Sequence, residues 1–261
     1  MKILVTVTEV AEADDEFEID GLSINERYLT FDLNEWDDYA IEEAVQLGEA
    51  GDDVEVVTAT VGPERAEETI RQALAKGADR AVRVWDERLE DETMVDAATK
   101  ARLLAAVARE EEPDLILSGV QSNDIAFGAT GVALAAELDF EWAAVVNQLD
   151  LDEDAGIASV HRELEGGVEE LTDAELPAVL TIQTGINEPR YASLRGIRQA
   201  QSKPLDVYTP EGLGVDLGDS TLSLSSLEVP ETESDVTLFE GSAEETASEL
   251  AAFLKERGVG A

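Results

Sequence analysis

Strand-like and helix-like periods alternate along most of the chain, and this alternation limits the fold more than any other feature. Residues 2–7 form an apolar strand and 54–61 a strand rich in β-branched side chains; shorter ones follow at 81–85 and 114–118. Amphipathic segments lie between them. Residues 37–50 carry Ile41, Ala44, Val45 and Gly48 on one face. Ile70, Ala73 and Leu74 line the next helix, which Pro63 opens and Gly77 closes. Residues 93–110 carry Ala97, Leu103, Leu104 and Val107, and 128–138 read as a helix of small residues. A β-α-β-α order predicts an α/β fold, a mostly parallel, Rossmann-like sheet with helices on both faces. The acidic stretch 11–33 interrupts the order. Within it, residues 17–19 and 28–31 flank Gly21 and are expected to pair as a hairpin.

The strand at 114–118 runs into Gly119-Val120-Gln121-Ser122-Asn123-Asp124-Ile125-Ala126-Phe127-Gly128-Ala129-Thr130-Gly131. A strand, a polar loop and a helix N-terminus form the geometry of an anion site, because free N–H groups and the helix dipole both favour negative charge. Gly128 and Gly131 let a ligand approach the backbone, and Ser122 and Thr130 can donate hydroxyls. The loop has no lysine or arginine, so a phosphate here is expected to rest on oriented amides. It matches neither the Walker lysine pattern nor the GxGxxG fingerprint. Taken alone, it fits an anion site or a plain connection equally well. In an open parallel sheet ligands lie outside the carboxyl ends of the strands, so residues near Thr6, 34–37 and Val61 are placed to complete a pocket.

Residues 160–194 hold two further oddities: Arg162-Glu163-Leu164-Glu165-Gly166-Gly167, and Asn187-Glu188-Pro189-Arg190-Tyr191-Ala192-Ser193-Leu194 after a strand-like run at 178–182. The glycine pair can turn a strand back. Pro177 suits the first residue of the following strand, and Pro189 ends it. A hairpin, a core strand and a surface loop account for each part singly. They do not account for Asn, Arg, Tyr and Leu gathered on one loop, where Tyr and Arg are favoured contact anchors. The lone His161 reads as a packed or surface histidine, and the chain offers no catalytic or metal-ligating constellation. After about residue 205 Gly, Ser and Pro become frequent and the rhythm is lost. A last helix opens on the capping box Ser242/Glu245, carries Ala247, Leu250, Ala251 and Leu254, and stops at Gly258. The long connection before it favours an arm that packs on a partner.

Several segments in order resemble the electron transfer flavoprotein beta subunit: KILVTV, LNEWDDYAIEEAV, TVGPERAEETIRQALAKGADRAVRVWD, GVQSND with the following TG pair, RELEGG, LPAVLTIQ and NEPRYASLRGI. They cover roughly residues 1–205. LNEWDD, GVQS, ASLRGI and KP are most similar to the branch that serves trimethylamine dehydrogenase in methylotrophic bacteria. The resemblance implies an adenine nucleotide alpha hydrolase-like domain at 1–205, with a recognition loop at 182–204, and a C-terminal arm at 206–261 on the partner subunit. It implies an electron carrier, not an enzyme: a heterodimer whose alpha subunit makes most contacts to FAD. Structural AMP would lie on this chain against Thr6, Asn34, Glu35, Trp36, Asp37, Val61, Gly119, Val120, Gln121, Ser122, Asn123, Asp124, Ile125, Ala126, Phe127, Gly128, Ala129 and Thr130. Glu163 would meet the alpha subunit's flavin domain, and Tyr191 and Leu194 would meet donor dehydrogenases, with Leu194 as the anchor. Electrons would pass on through electron transfer flavoprotein oxidoreductase toward the respiratory chain. The chain departs from the family at Glu35, where many relatives carry proline, and at Val61, where some carry cysteine. Its lysine cluster after the recognition loop is thinned to Arg198 and Lys203. Bifurcating relatives hold a second FAD on an acid-rich loop. Asp124-Ile125-Ala126-Phe127 is not one, which favours AMP. A self-sufficient adenine-nucleotide module is the remaining reading.

Charge sets the setting. Asp and Glu total 60 against 18 Lys and Arg, a formal net charge of −42 over 261 residues. The acid is spread among periodic apolar segments, which argues against disorder. A field of this sign repels phosphate backbones, so nucleic acid is not an expected partner. No apolar run is long enough to predict a membrane span. The first strand follows Met1 without a signal-peptide pattern, so the cytoplasm is the expected compartment. Cysteine is absent, which excludes disulfides, thiolate metal sites and cysteine nucleophiles. Five lysines against thirteen arginines, with so much acid, fit an extreme halophile. At about 1 M salt the Debye length is about 3 Å, so surface carboxylates scarcely repel one another. Lowering salt below about 0.5 M is expected to unfold or dissociate the protein as that screening weakens. Circular dichroism and sedimentation across a salt series check this, and an unchanged signal in dilute buffer would refute it.

Overall fold

The computed structural model describes residues 1–51, 53–89, 95–217, 222–229 and 236–258. The chain divides into two compact units, Met1–Leu227 and Glu228–Ala261. In the first, the strands are β1 (Lys2–Thr6), β2 (Glu9–Ala13), β3 (Ile19–Asp20), β4 (Ser23–Ile24), β5 (Leu29–Leu33), β6 (Glu55–Val61), β7 (Arg80–Val84), β8 (Leu115–Gly119), β9 (Glu141–Asp152), β10 (Ile157–Leu164), β11 (Val168–Glu175), β12 (Ala178–Ile182) and β13 (Leu205–Tyr208). Its helices are α1 (Glu35–Ala50), α2 (Glu67–Lys76), α3 (Ala97–Glu111), α4 (Thr130–Leu138) and α5 (Leu194–Ala200). Nine strands form one sheet in the order β11-β10-β9-β12-β8-β1-β6-β7-β13. Every pairing from β9 to β13 across it is parallel, and β9-β10-β11 is an antiparallel meander at one edge.

The period of two along each strand explains the two hydrophobic layers. Ile3, Val5, Leu115, Leu117 and Leu180 point to one face, where they meet Ile41 and Val45 of α1 and Ile70 and Leu74 of α2. Leu4, Val57, Val82, Ile116 and Val179 point to the other, where they meet α3 and α4 through Leu103, Leu104, Val107 and Leu134. The chain order makes β1 the turning point. The strands after it go first to β6 and β7 on one side, then cross to β8 and β12 on the other. Such a reversal leaves a crevice at the carboxyl ends of β1 and β8.

Three differences from the sequence reading have physical causes. The hairpin expected between 17–19 and 28–31 does not form. Instead β5 pairs antiparallel with β2, with Phe31 opposite Ala11, and Ile19 pairs with Ile24. Gly21, at φ +66°, closes that second hairpin on itself, while the Arg65 guanidinium covers the Phe31 ring at 4.1 Å. The strand β9, which the sequence reading did not single out, carries half-exposed Trp142 and alternates Val146, Leu149 and Leu151 with polar residues. The sheet also continues past residue 205, because β13 adds to β7 in parallel register from Leu205 opposite Ala81 to Tyr208 opposite Val84.

The second unit is described by itself. Its helix α6 (Ala243–Glu256) starts on the Ser242/Glu245 capping box and has no buried residue. Phe253 meets Phe239 edge-on with ring centres 5.7 Å apart, and Leu250 and Leu254 remain exposed. Among the described residues no helix is long and apolar enough to cross a membrane.

Candidate functional site

The crevice at the switch point is a partly open cleft. Its walls come from the ends of β1, β6 and β8, the start of α1, the loop before α4 and the first turns of α3. Of the residues singled out from sequence, Thr6, Asn34, Asp37, Val61, Gly119, Val120, Gln121, Ser122, Ile125, Phe127, Gly128, Ala129 and Thr130 line it together. Glu35, Trp36, Asn123, Asp124 and Ala126 do not. The Trp36 indole N–H donates to Gln183 Oε1 at 2.9 Å, and the Glu35 N–H to Asn123 Oδ1 at 3.2 Å. Asp124 lines a neighbouring cleft.

Asp37 is the buried hinge of the site. Its Oδ2 accepts the Thr8 N–H at 2.7 Å, and its Oδ1 accepts the Gly119 N–H at 2.9 Å. One carboxylate thus ties the chain leaving β1 to the end of β8. A Cβ on Gly119 would lie 2.5 Å from Asp37 Oδ1 and 2.7 Å from Trp36 Cβ, so only glycine fits there. Buried Asn34 does the same for the loop: its Nδ2 donates to Gln121 O at 2.8 Å, and its Oδ1 accepts the Asn123 N–H at 3.2 Å. Thr6 Oγ1 donates to Ser118 Oγ at 2.8 Å at the floor. Asn34 and Asp37 therefore shape the cleft as much as they face it.

The far wall is the N-terminus of α4. Its N-cap position is Ala129, so no side chain caps the first-turn N–H groups. Gly131 lets that terminus sit against the sheet, since a Cβ there would lie 2.6 Å from Thr181 Cγ2. An uncapped helix start opening on a cleft that also holds Thr6, Ser118, Ser122 and Thr130 hydroxyls suits an anionic, hydroxyl-rich ligand. The sequence reading missed Val95, Ala97, Lys100 and Leu104, which α3 and the residues before it bring in from the other face of the sheet. Their helical pattern marked α3 but gave no sign of which turn meets the loop.

The second candidate surface is the segment between β12 and β13. Asn187 and Arg190 do not face outward. Asn187 Nδ2 donates to Tyr39 O at 3.1 Å and to Glu43 Oε2 at 2.9 Å. Arg190 reaches Glu42 and Glu49 of α1, both at 2.7 Å, and draws both carboxyls below their usual range, against the burial that raises that of Glu42. Tyr191 and Leu194 point away, 98% and 77% exposed. Ser193 caps α5, and α5 is fixed to α2 by reciprocal contacts. Arg71 Nη1 donates to the carbonyls of Ala200 and Lys203, and Lys203 Nζ to those of Leu74 and Ala78. Burial lowers the Lys203 pKa. Glu163 is exposed near the end of β10, opposite Glu169. Gly166 and Gly167 turn that strand back with φ near +79° and +73°. His161 Nε2 lies 3.4 Å from Glu169 Oε2.

The family model described as an electron transfer flavoprotein domain matches residues 21–212. An electron transfer flavoprotein subunit beta of Methylophilus methylotrophus is 43% identical over 264 residues, 98% of each chain. The human subunit beta is 40% identical over 226 residues, 87% of this chain and 85% of its own. A mitochondrial subunit beta of Oryza sativa subsp. indica is 36% identical over 240 residues, covering 91% and 93%.

Burial outweighs the two N–H donors at Asp37 and pushes its carboxyl from 3.8 up to about 6. The folded state therefore keeps a proton that the unfolded chain has lost. The associated stability is full below pH 3.8 and is lost as pH rises through about 6. Asp37→Asn removes this dependence and leaves one backbone N–H without an acceptor, which costs about 1–3 kcal/mol. Denaturation at fixed high salt is expected to show the variant less stable, with the gap largest near pH 4 and smaller above pH 6. A gap that stays constant with pH would contradict the buried ionisation.

Proposed function

The chain belongs to the electron transfer flavoprotein family as a beta subunit, and on that premise we propose that it is the nucleotide-holding half of a heterodimeric electron carrier. The cleft at the switch point carries this reading. It is the one place where an uncapped helix start, hydroxyls and an apolar wall of Val61, Ile125 and Phe127 converge among the sites described above. AMP fits that set. Its phosphate is held by the first-turn amides of α4 with Ser122 and Thr130, its ribose by the floor hydroxyls, and its base by the apolar wall. AMP here braces the fold and takes no part in redox chemistry.

FAD is bound mainly by the alpha subunit and supplies the electron chemistry when present. This chain makes and breaks no bond. It walls the flavin, places Glu163 against the alpha subunit's flavin domain, and presents Tyr191 and Leu194 to donor dehydrogenases. Leu194 sits at the first residue of a helix clamped to α2, so a partner meets a preorganised tip. The C-terminal arm with its uncovered Leu250 and Leu254 packs on the alpha subunit. The carrier works in a salt-rich cytoplasm between dehydrogenases and a respiratory-chain oxidoreductase.

Co-expression with the neighbouring subunit is expected to give a yellow heterodimer that releases one AMP on denaturation. A solitary folded chain with exchangeable ATP would make it a self-sufficient nucleotide module. Two flavins per heterodimer with NADH oxidation would make it a bifurcating subunit. Leu194→Ala is expected to slow electron uptake from the donor dehydrogenase roughly ten-fold with flavin content unchanged. Stopped-flow flavin reduction measures this, and wild-type uptake would remove Leu194 as the anchor.

A further inference from the structure

In a chain with 60 acidic against 18 basic residues, an ammonium group ordinarily finds a carboxylate. The other lysines of the first unit are all engaged. Lys2 donates to the Glu111 carbonyl and lies 3.3 Å from its carboxylate. Lys76 holds both oxygens of Asp38 at 2.6 and 2.7 Å, and Lys203 donates to the carbonyls of Leu74 and Ala78. Lys100 is the exception: its ammonium has no hydrogen bond or ion pair among the described residues. It lies half-buried in the first turn of α3 and lines the switch-point cleft.

Among the described residues the other ionisable group lining that cleft is Asp37, and both its oxygens are taken by Thr8 and Gly119. Lys100 also lines the neighbouring cleft, which shares Val61, Val95 and Ile125 with the first. The cation there, Arg65, is already committed to Glu9 at 3.2 Å and to the Phe31 ring. Among the described residues Lys100 is thus a positive charge without a partner, drawn partly out of water, where an unpaired ammonium is unfavourable. An anion in the cleft relieves it. Because the pair would be partly enclosed, high salt screens it far less than a surface pair.

We infer that Lys100 is a phosphate ligand of this cleft, acting across from the N-terminus of α4, so that the site selects a phosphorylated nucleoside over the uncharged one. This rests on the adenine-nucleotide reading above. It adds a charged ligand to the amides and hydroxyls expected to hold the phosphate. Neutral Met keeps the aliphatic stem, and Arg keeps the charge, so the two variants separate charge from packing.

The test is equilibrium binding of AMP, adenosine and inorganic phosphate to the nucleotide-stripped heterodimer at high salt. Lys100→Met should weaken AMP roughly 10- to 100-fold and leave adenosine unchanged, and Lys100→Arg should recover most of the loss. A Lys100→Met complex that keeps the wild-type preference for AMP over adenosine overturns the assignment. So does loss of phosphate binding alone with AMP retained, because the ligand would then be a free anion. A wild-type complex that binds neither AMP nor adenosine removes the nucleotide reading itself. Wild-type binding of both with equal affinity leaves that reading standing and removes only the role of Lys100.

Discussion

The carboxylate of Asp37 holds together the switch point of the sheet, on which the candidate cleft is built. Chain order forces β1 and β8 to be neighbours whose following segments depart to opposite faces. Left alone, the departing backbone would leave the N–H groups of Thr8 and Gly119 without partners in a buried crevice. One side chain from the first turn of α1 satisfies both. Its own burial then resists ionisation, so the crevice is held open by a group in tension between desolvation and hydrogen bonding. Asn34, three residues earlier, pins the loop in the same way. The shape of the cleft is therefore written in α1, although its ligand-facing surface comes largely from the loop before α4.

The cleft is chemically unlike the rest of the molecule. The surface carries an excess of acid, yet among the described residues the cleft lining has one carboxyl, fully occupied, and one ammonium. An anion entering it leaves a repelling exterior for a lining of amides, hydroxyls and apolar atoms. Strong surface acidity is compatible with an anion in the cleft, because the amide and helix dipoles lie at the cleft itself. At about 1 M salt the surface field would fall off within about 3 Å.

Much of this was legible in the sequence. Strand and helix periods located β1, β6, β7, β8 and β12 and the helices between them, because each buries an unbroken apolar run or stripe. The loop 119–130 announced itself by Gly, Ser and Thr placed between a strand and a helix. The pairing of β2 with β5 was not legible, since it depends on contacts such as Arg65 over Phe31 that join segments far apart in sequence. Nor was β13, a four-residue edge strand whose Val207 is half open to solvent. Lys100 was hidden for a related reason. Its significance lies in what does not pair with it, and a sequence with so many acids gives no hint that one lysine stands apart. Arg190 erred in the opposite direction: its residue type suggested an outward anchor, but Glu42 and Glu49 claim it.

That last reversal clarifies how the exposed tip is made. Polar residues of the segment turn inward to α1, through Asn187 and Arg190, and the helix that follows is tied end to end with α2 through Arg71 and Lys203. Gly196 lets the two helices approach so closely that any side chain there would strike the Ala75 carbonyl. With Asn187 and Arg190 spent on the scaffold, the large apolar side chains left facing solvent are Tyr191, Leu194 and Ile197, with Arg195 and Arg198 exposed beside them. A flexible loop bearing the same residues would lose entropy each time it met a partner. Here that ordering is already complete before contact. A preorganised tip of this kind suits the proposed docking role, because little would have to rearrange on approach or departure.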